Sequence, residues 1–151
     1  MILELFFAFV GTVCFSIIFS VSKKHVLYCG LTGAFGWLVY LISMHFLDSQ
    51  LISTFISCFA LTTMARYLSV IRKAPTTLFL LSGIFVLVPG AGMYYTTFNL
   101  FMNRPDEAMY NGDLTAKIAL AISFGILCSY ILPPQIFGWG KKQEEIPKAT
   151  K

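Results

Sequence analysis

The sequence predicts an all-α fold: a polytopic membrane bundle of five transmembrane helices, the fourth broken at Pro89-Gly90. Three observations predict it. Of 151 residues, 57% are apolar and only 12% are charged, against roughly a quarter charged in an ordinary soluble domain. The apolar residues gather in five runs, and a helix needs about 20 of them to cross the hydrocarbon. Short polar connections between the runs collect most of the charge. A soluble globular domain and a disordered chain are excluded, because too few polar side chains exist to meet water. A nucleic-acid binder is excluded as well: the formal charge of +4 lies in small clusters between apolar runs. Open sheets cannot cross lipid, and barrel strands would be about 10 residues long with strict alternation. These runs are longer and apolar on all sides.

The first span covers about residues 2–21, with Glu4 its only charge, near enough to the end to reach the interface. It has no basic n-region and no A-x-A-like site, so it reads as a retained span. Ser22-Lys23-Lys24-His25 leads to the second span, 26–47. Asp48 marks a tight turn into the third, 49–65. Arg66 to Ala74 connects to the fourth, 76–101. Met102 to Asp113 precedes the fifth, 114–132, which Pro133-Pro134 ends. These spans make a transmembrane domain, 1–137, followed by a polar cytoplasmic tail, 138–151, with Trp139 at the interface.

Orientation follows from the basic residues. Lys23, Lys24, Arg66, Arg72, Lys73, Lys141, Lys142, Lys148 and Lys151 fall on one side, Arg104 and Lys117 on the other. The excess of basic residues in cytoplasmic loops puts the N-terminus outside and the C-terminus in the cytoplasm. Cys14, Cys29, Cys58 and Cys128 lie inside apolar runs without metal-ligand spacing, so they read as small buried apolar residues.

The fourth run is the informative one. Its uncharged stretch, 74–103, is too long for one plain span, and Leu87-Val88-Pro89-Gly90-Ala91-Gly92 stands in its middle. Pro89 has no N–H to give, so the carbonyl of Phe85 loses its helical partner. In lipid such a break is tolerated only where protein or a water-filled cavity supplies partners. Transporters use it to aim the amides and positive dipole end of a half-helix at an anionic substrate near the midplane. The candidate substrate-binding residues are therefore Pro89, Gly90, Ala91, Gly92, Tyr94 and Asn99. A kink that merely shapes packing is the plain alternative.

Small residues recur at i, i+4. Cys29/Gly33 and Gly30/Ala34 do so in the second span, Ala121, Gly125 and Ser129 in the fifth, and Ser49, Ser53 and Ser57 in the third. Such stripes let helices approach closely; a serine-lined permeation face is the sharper reading of the third. Arg66, Arg72 and Lys73 bracket a cytoplasmic mouth, as topology markers or as a funnel for anions. His45 and Asp48, one turn apart, could relay a proton, and Glu4 could be a coupling carboxylate. No metal or cofactor set and no catalytic motif is visible, so an enzyme is not expected.

Several of these segments carry a family resemblance. Arg72-Lys-Ala-Pro75, Phe79 and Gly83-Ile-Phe-Val-Leu87-Val-Pro89-Gly90-Ala-Gly-Met-Tyr94-Tyr95 resemble the signature of the threonine/serine exporter family, ThrE. Phe15-Ser-Ile-Ile-Phe19-Ser-Val-Ser-Lys23-Lys24 and Gly30-Leu-Thr-Gly33-Ala-Phe-Gly36-Trp37-Leu-Val-Tyr40 look like the same family. More closely, the chain resembles its small YjjB-like subunit, the counterpart of the C-terminal half of fused exporters, over about residues 5–130. Many relatives have a second proline where this chain has Val86. The resemblance implies export of small metabolites, threonine and serine in some members and dicarboxylates such as succinate in others. It also implies a partner, a larger ThrE-type (YjjP-like) membrane subunit. The expected function is thus one subunit of a two-component secondary exporter of small carboxylates in the cell (inner) membrane, with no nucleic acid involved. The alternatives are a non-transporting accessory or scaffolding membrane protein and a homo-oligomeric channel.

Overall fold

In the computed structural model, which describes residues 2–133, the chain forms six helices. They are α1 (Ile2–Ile18), α2 (Lys23–Leu47), α3 (Gln50–Arg72), α4 (Thr76–Ile84), α5 (Gly90–Phe101) and α6 (Pro105–Ile131), with no strand among the described residues. The tail at 138–151, Trp139 included, lies outside the described residues. Helices α2, α3 and α6 are long and apolar enough to cross a membrane, and α1 is apolar but shorter, at 17 residues.

Burial is arranged as lipid requires. Thr12, Ser16, Ser53, Ser57, Ser82 and Ser129 are fully buried, while Leu27, Ile52, Leu120, Phe124 and Leu127 face outward. Small and hydroxylated residues make the helix contacts because they let backbones approach. An added Cβ on Gly33 would strike Thr12, and one on Gly125 would lie 2.9 Å from the Phe55 carbonyl oxygen. The Ser57 hydroxyl donates to the Gly36 carbonyl at 2.6 Å, joining α3 to α2. The Ser53–Ser57 stripe thus lies within helix packing, and both side chains are fully buried.

The turns are tight, and four of them close on one residue in the left-handed region: Ser20 (φ 55°), Asp48 (φ 46°), Lys73 (φ 51°) and Asn103 (φ 56°). That conformation swings the following amides back to the last helical carbonyls. Val21 N–H donates to Ser16, Ala74 to Ser69 and Arg104 to Asn99, at 3.0, 3.2 and 2.9 Å.

Two helices run past their apolar stretches. Helix α3 continues from the expected end at 65 to Arg72, and α6 begins at Pro105 instead of 114. In α6 the cause is local: proline fits the first helical position, where its missing N–H is not needed, and Asp106 and Glu107 favour the first turn. The fourth predicted run is two separate helices, α4 and α5, with residues 85–89 between them.

Helices α3 and α6 run parallel, because their cross-contacts keep a constant offset of 63–66 residues from Cys58–Ile122 to Arg66–Leu132. On that register Gln50 stands beside residue 115 or so. About 15 Å of α6 therefore extends past the start of α3, at 1.5 Å per residue. Helix α5 lies along this extension: Gly92 faces Thr115, and Gly112 faces Thr96. Helix α4 instead packs among α1, α2 and α3.

Candidate functional site

The break begins where α4 ends. The Leu87 N–H turns back to the Ile84 carbonyl at 2.9 Å, and the Gly90 N–H reaches the Val88 carbonyl at 2.8 Å across Pro89. With φ −76° and ψ 60°, Pro89 sits in an inverse γ-turn. No backbone N–H among the described residues reaches the Phe85 carbonyl, as a proline four positions on dictates. Helix α5 then starts, and its first helical bond runs from Met93 to Pro89 at 3.1 Å. The amides of Ala91 and Gly92 precede that bond and have no backbone acceptor among the described residues, as the first turn of any helix leaves them.

Residues 85 and 86 form part of a groove. On α1, Glu4, Gly11 and Phe15 fall on one stripe (i, i+7, i+11) and line it together with Trp37, Phe85 and Val86. Its volume is about 380 Å³, within the range of small-molecule sites. Phe85 stacks on Phe15, in the last turn of α1, with centroids 4.5 Å apart and planes at 12°. The Trp37 ring stacks on Tyr40, and its buried Nε1 has no hydrogen-bond partner among the described residues. A Cβ at Gly11 would meet nothing within 4 Å, so the groove is open at that point. Among the described residues, Glu4 is the ionisable side chain that lines it.

The residues named from sequence fall in three places. Pro89, Gly90, Ala91 and Gly92 sit at the break and the start of α5, Gly90 and Ala91 exposed. Tyr94 is exposed and stacks on Phe98 at 6.0 Å and 18°. Asn99 is the buried residue of α5, whose packing partner is α6. Neither Tyr94 nor Asn99 lines the groove. Arg66, Arg72 and Lys73 stand at the far end of α3. Arg66 is buried and donates to the Ser129 carbonyl and, at 3.0 Å, to the Leu132 carbonyl. The Arg72 guanidinium lies 3.8 Å above the Tyr28 ring, and Lys73 closes α3. At the other end His45 packs edge-on against Phe46, and Asp48 caps α2.

Sequence reasoning missed the groove itself. Glu4, Gly11 and Phe15 share a helical face, a signal that was present. Nothing in the sequence tied that face to Trp37 and to the break.

The fourth apolar run is thus interrupted at 85–89, and the groove lies beside the interruption. No curated protein and no solved structure matches the chain. The sequence pattern described as "Threonine/Serine exporter, ThrE" matches residues 4–132. That match covers the groove, the break and every described helix but the first two residues of α1, so this chain belongs to the threonine/serine exporter family.

Proposed function

We propose that the chain is one membrane subunit of a two-component secondary exporter of small carboxylate metabolites, threonine and serine or a dicarboxylate such as succinate. In this reading it crosses the cell membrane five times. Helix α1 makes one crossing, and α4 with α5 makes the fourth. The N-terminus is outside, the C-terminus is in the cytoplasm, and the partner is a larger ThrE-type subunit. Family membership supports transport over catalysis. One observation carries the site: the break at 85–89 presents the Ala91 and Gly92 amides at the start of α5, where a carboxylate finds donors and a favourable dipole. In this reading Tyr94 and Asn99 orient the rest of the substrate, and Arg66, Arg72 and Lys73 bias the cytoplasmic mouth toward anions.

The test is efflux from substrate-loaded cells that express this chain with its partner. The double variant Pro89→Ala, Gly90→Leu should make α4 and α5 continuous and lower efflux by about tenfold or more, since a misplaced site costs of that order. Wild-type efflux at equal membrane abundance would remove the break from the mechanism. Co-purification with the larger subunit tests the two-component arrangement separately.

A further inference from the structure

We propose that the hairpin of α5 and the first turns of α6 is a self-association surface, through which two copies of this chain pair about a two-fold axis along the membrane normal. The inference takes its membrane orientation from the exporter reading and nothing from transport itself. Between Gly90 and Phe101 helix α5 holds no charged residue. One face of it meets α6, where Gly92 faces Thr115 and Thr96 faces Gly112, and Asn99 is buried. The rest of its circumference is largely apolar and open. Tyr94, Tyr95, Phe98 and Phe101 are exposed, and Met109 and Tyr110 carry the patch onto α6. A helix that is apolar on nearly every side is one that something covers.

Lipid tails are not that cover. Helices α2 and α3 are each long enough to cross the hydrocarbon, and the exposed Asp48 marks the turn between them. A carboxylate belongs at the membrane surface, so the hydrocarbon ends near that turn. Gly92 and Thr115 stand level with it, and the hairpin continues about 15 Å further along α6. The fourth crossing is therefore complete within the first turns of α5. Headgroups add only about 5–8 Å on each side, too little to wrap the hairpin. The large apolar side chains open between residues 93 and 110 leave about 1,000 Å² uncovered, at about 200 Å² for a whole aromatic side chain. A stable protein interface takes about 800 Å² from each partner, while the largest patch on a monomer is about 300–600 Å².

A second copy fits this surface better than a foreign partner. Partners of different sequence are told apart by complementary charge, and the aromatic face offers none. Arg104 pairs with Glu107 and Lys117 with Asp113. A neutral face meets its own copy without repulsion. Lys23, Lys24, Arg72 and Lys73 lie at the opposite end of the bundle, the cytoplasmic one in this orientation. Among two-fold axes, only one along the membrane normal keeps both copies the same way round, and it sets the same patch against itself. Tyr94 and Phe98, stacked at 6.0 Å and 18°, then offer one flat ridge to its equal.

The purified full-length chain in detergent tests this. Light scattering with the detergent subtracted should give two chains per particle. Phe98→Arg with Phe101→Arg should weaken the pair by about thirtyfold or more, the scale of central interface residues. Leu120→Ser with Leu127→Ser, exposed on α6 below the hairpin, should leave it intact. Cross-linking in native membranes needs no arginine. Tyr95→Cys, Phe98→Cys and Phe101→Cys are made one at a time, with Cys14 and Cys128 replaced by serine. Cys29 and Cys58 stay, being fully buried. A hairpin position should give a disulfide-linked dimer on oxidation, and Leu120→Cys should not. In nanodiscs, amides of 94–110 should exchange several-fold more slowly with two copies per disc than with one.

The proposal is overturned if the parent is a single chain in detergent and no hairpin cysteine cross-links, or if the double arginine variant pairs like the parent. It is also overturned if the hairpin cysteines cross-link to a co-expressed larger subunit in place of a second copy. A chain that pairs but gives no efflux from loaded cells keeps the surface and overturns the exporter reading instead. Efflux from a chain that never pairs does the reverse.

Discussion

At the basic end of the bundle, Arg66 carries its charge into the contact between α3 and α6. Its guanidinium donates to the carbonyls of Ser129 and Leu132, and its Cζ lies 5.4 Å from the centre of the Tyr130 ring. The planar fork suits this position, because two acceptors lie near one another and the stem crosses apolar surface on the way. From sequence Arg66 reads as an interfacial charge at a mouth. In the folded chain it also fastens the last turn of α6 to α3. Arg66→Ala leaves those carbonyls without their donor, which should cost about 1.5–3 kcal/mol, the worth of hydrogen bonds to a charged group. Arg66→Lys should recover only part of it, because a point charge does not span both acceptors. Melting of the purified chain in detergent reads both variants. Unchanged melting for Arg66→Ala would deny the fastening role.

Among the elements, the closest approaches are made by glycines, and they rank by what each glycine faces. Gly33 meets Thr12 between α1 and α2, and Gly125 meets the Phe55 backbone between α6 and α3. Backbone cannot step aside, so Gly125→Leu should separate α3 and α6. Gly33→Leu should separate α1 and α2. Each should cost about 1–3 kcal/mol or more, as overpacking does. Gly11→Ala meets nothing and should stabilise by up to about 1 kcal/mol through helix propensity. Thermal unfolding of the three variants checks the order, and a destabilised Gly11→Ala would contradict the open groove.

The stripes holding Gly33 and Gly125 were legible in sequence, because spacing at i, i+4 fixes a common face. The break was legible too, since one proline removes one donor wherever it sits. The starts and ends of helices were harder. Arg66 to Arg72 reads as a connection because basic residues bracket it, yet Leu68, Val70 and Ile71 between them let the helix continue with α6 and α4 packed against α3. Asn103-Arg104-Pro105-Asp106-Glu107 reads as a loop, although proline followed by two acids is also a helix start. The groove was out of reach, because no local rule says that the Glu4–Phe15 face of α1 meets Phe85 rather than lipid.

For the molecule as a whole, the parallel register of α3 and α6 sets its length. From Arg72 to Pro105 the body measures about 50 Å at 1.5 Å per residue, using the 27 residues of α6 and the last turns of α3. The α5–α6 end, about 15 Å past the start of α3, is an overhang of the packed bundle, in which α5 leans on α6. Segments with few partners open at lower free energy than a packed body. Backbone amides of 94–110 should therefore exchange with deuterium well before those of 53–65 in nanodisc-embedded protein, and mass spectrometry of the two segments checks it. Equal protection would mean that something else holds the overhang.

The overhang also has a short tether. Residues 85–89 are all that joins α4 to α5, and the first two of them are a wall of the groove. Whatever tips the protruding arm therefore tugs on Phe85 and Val86 with no other packed element in between. The cavity beside α1 is wired to the outermost part of the molecule by five links of main chain, as a latch is wired to its handle.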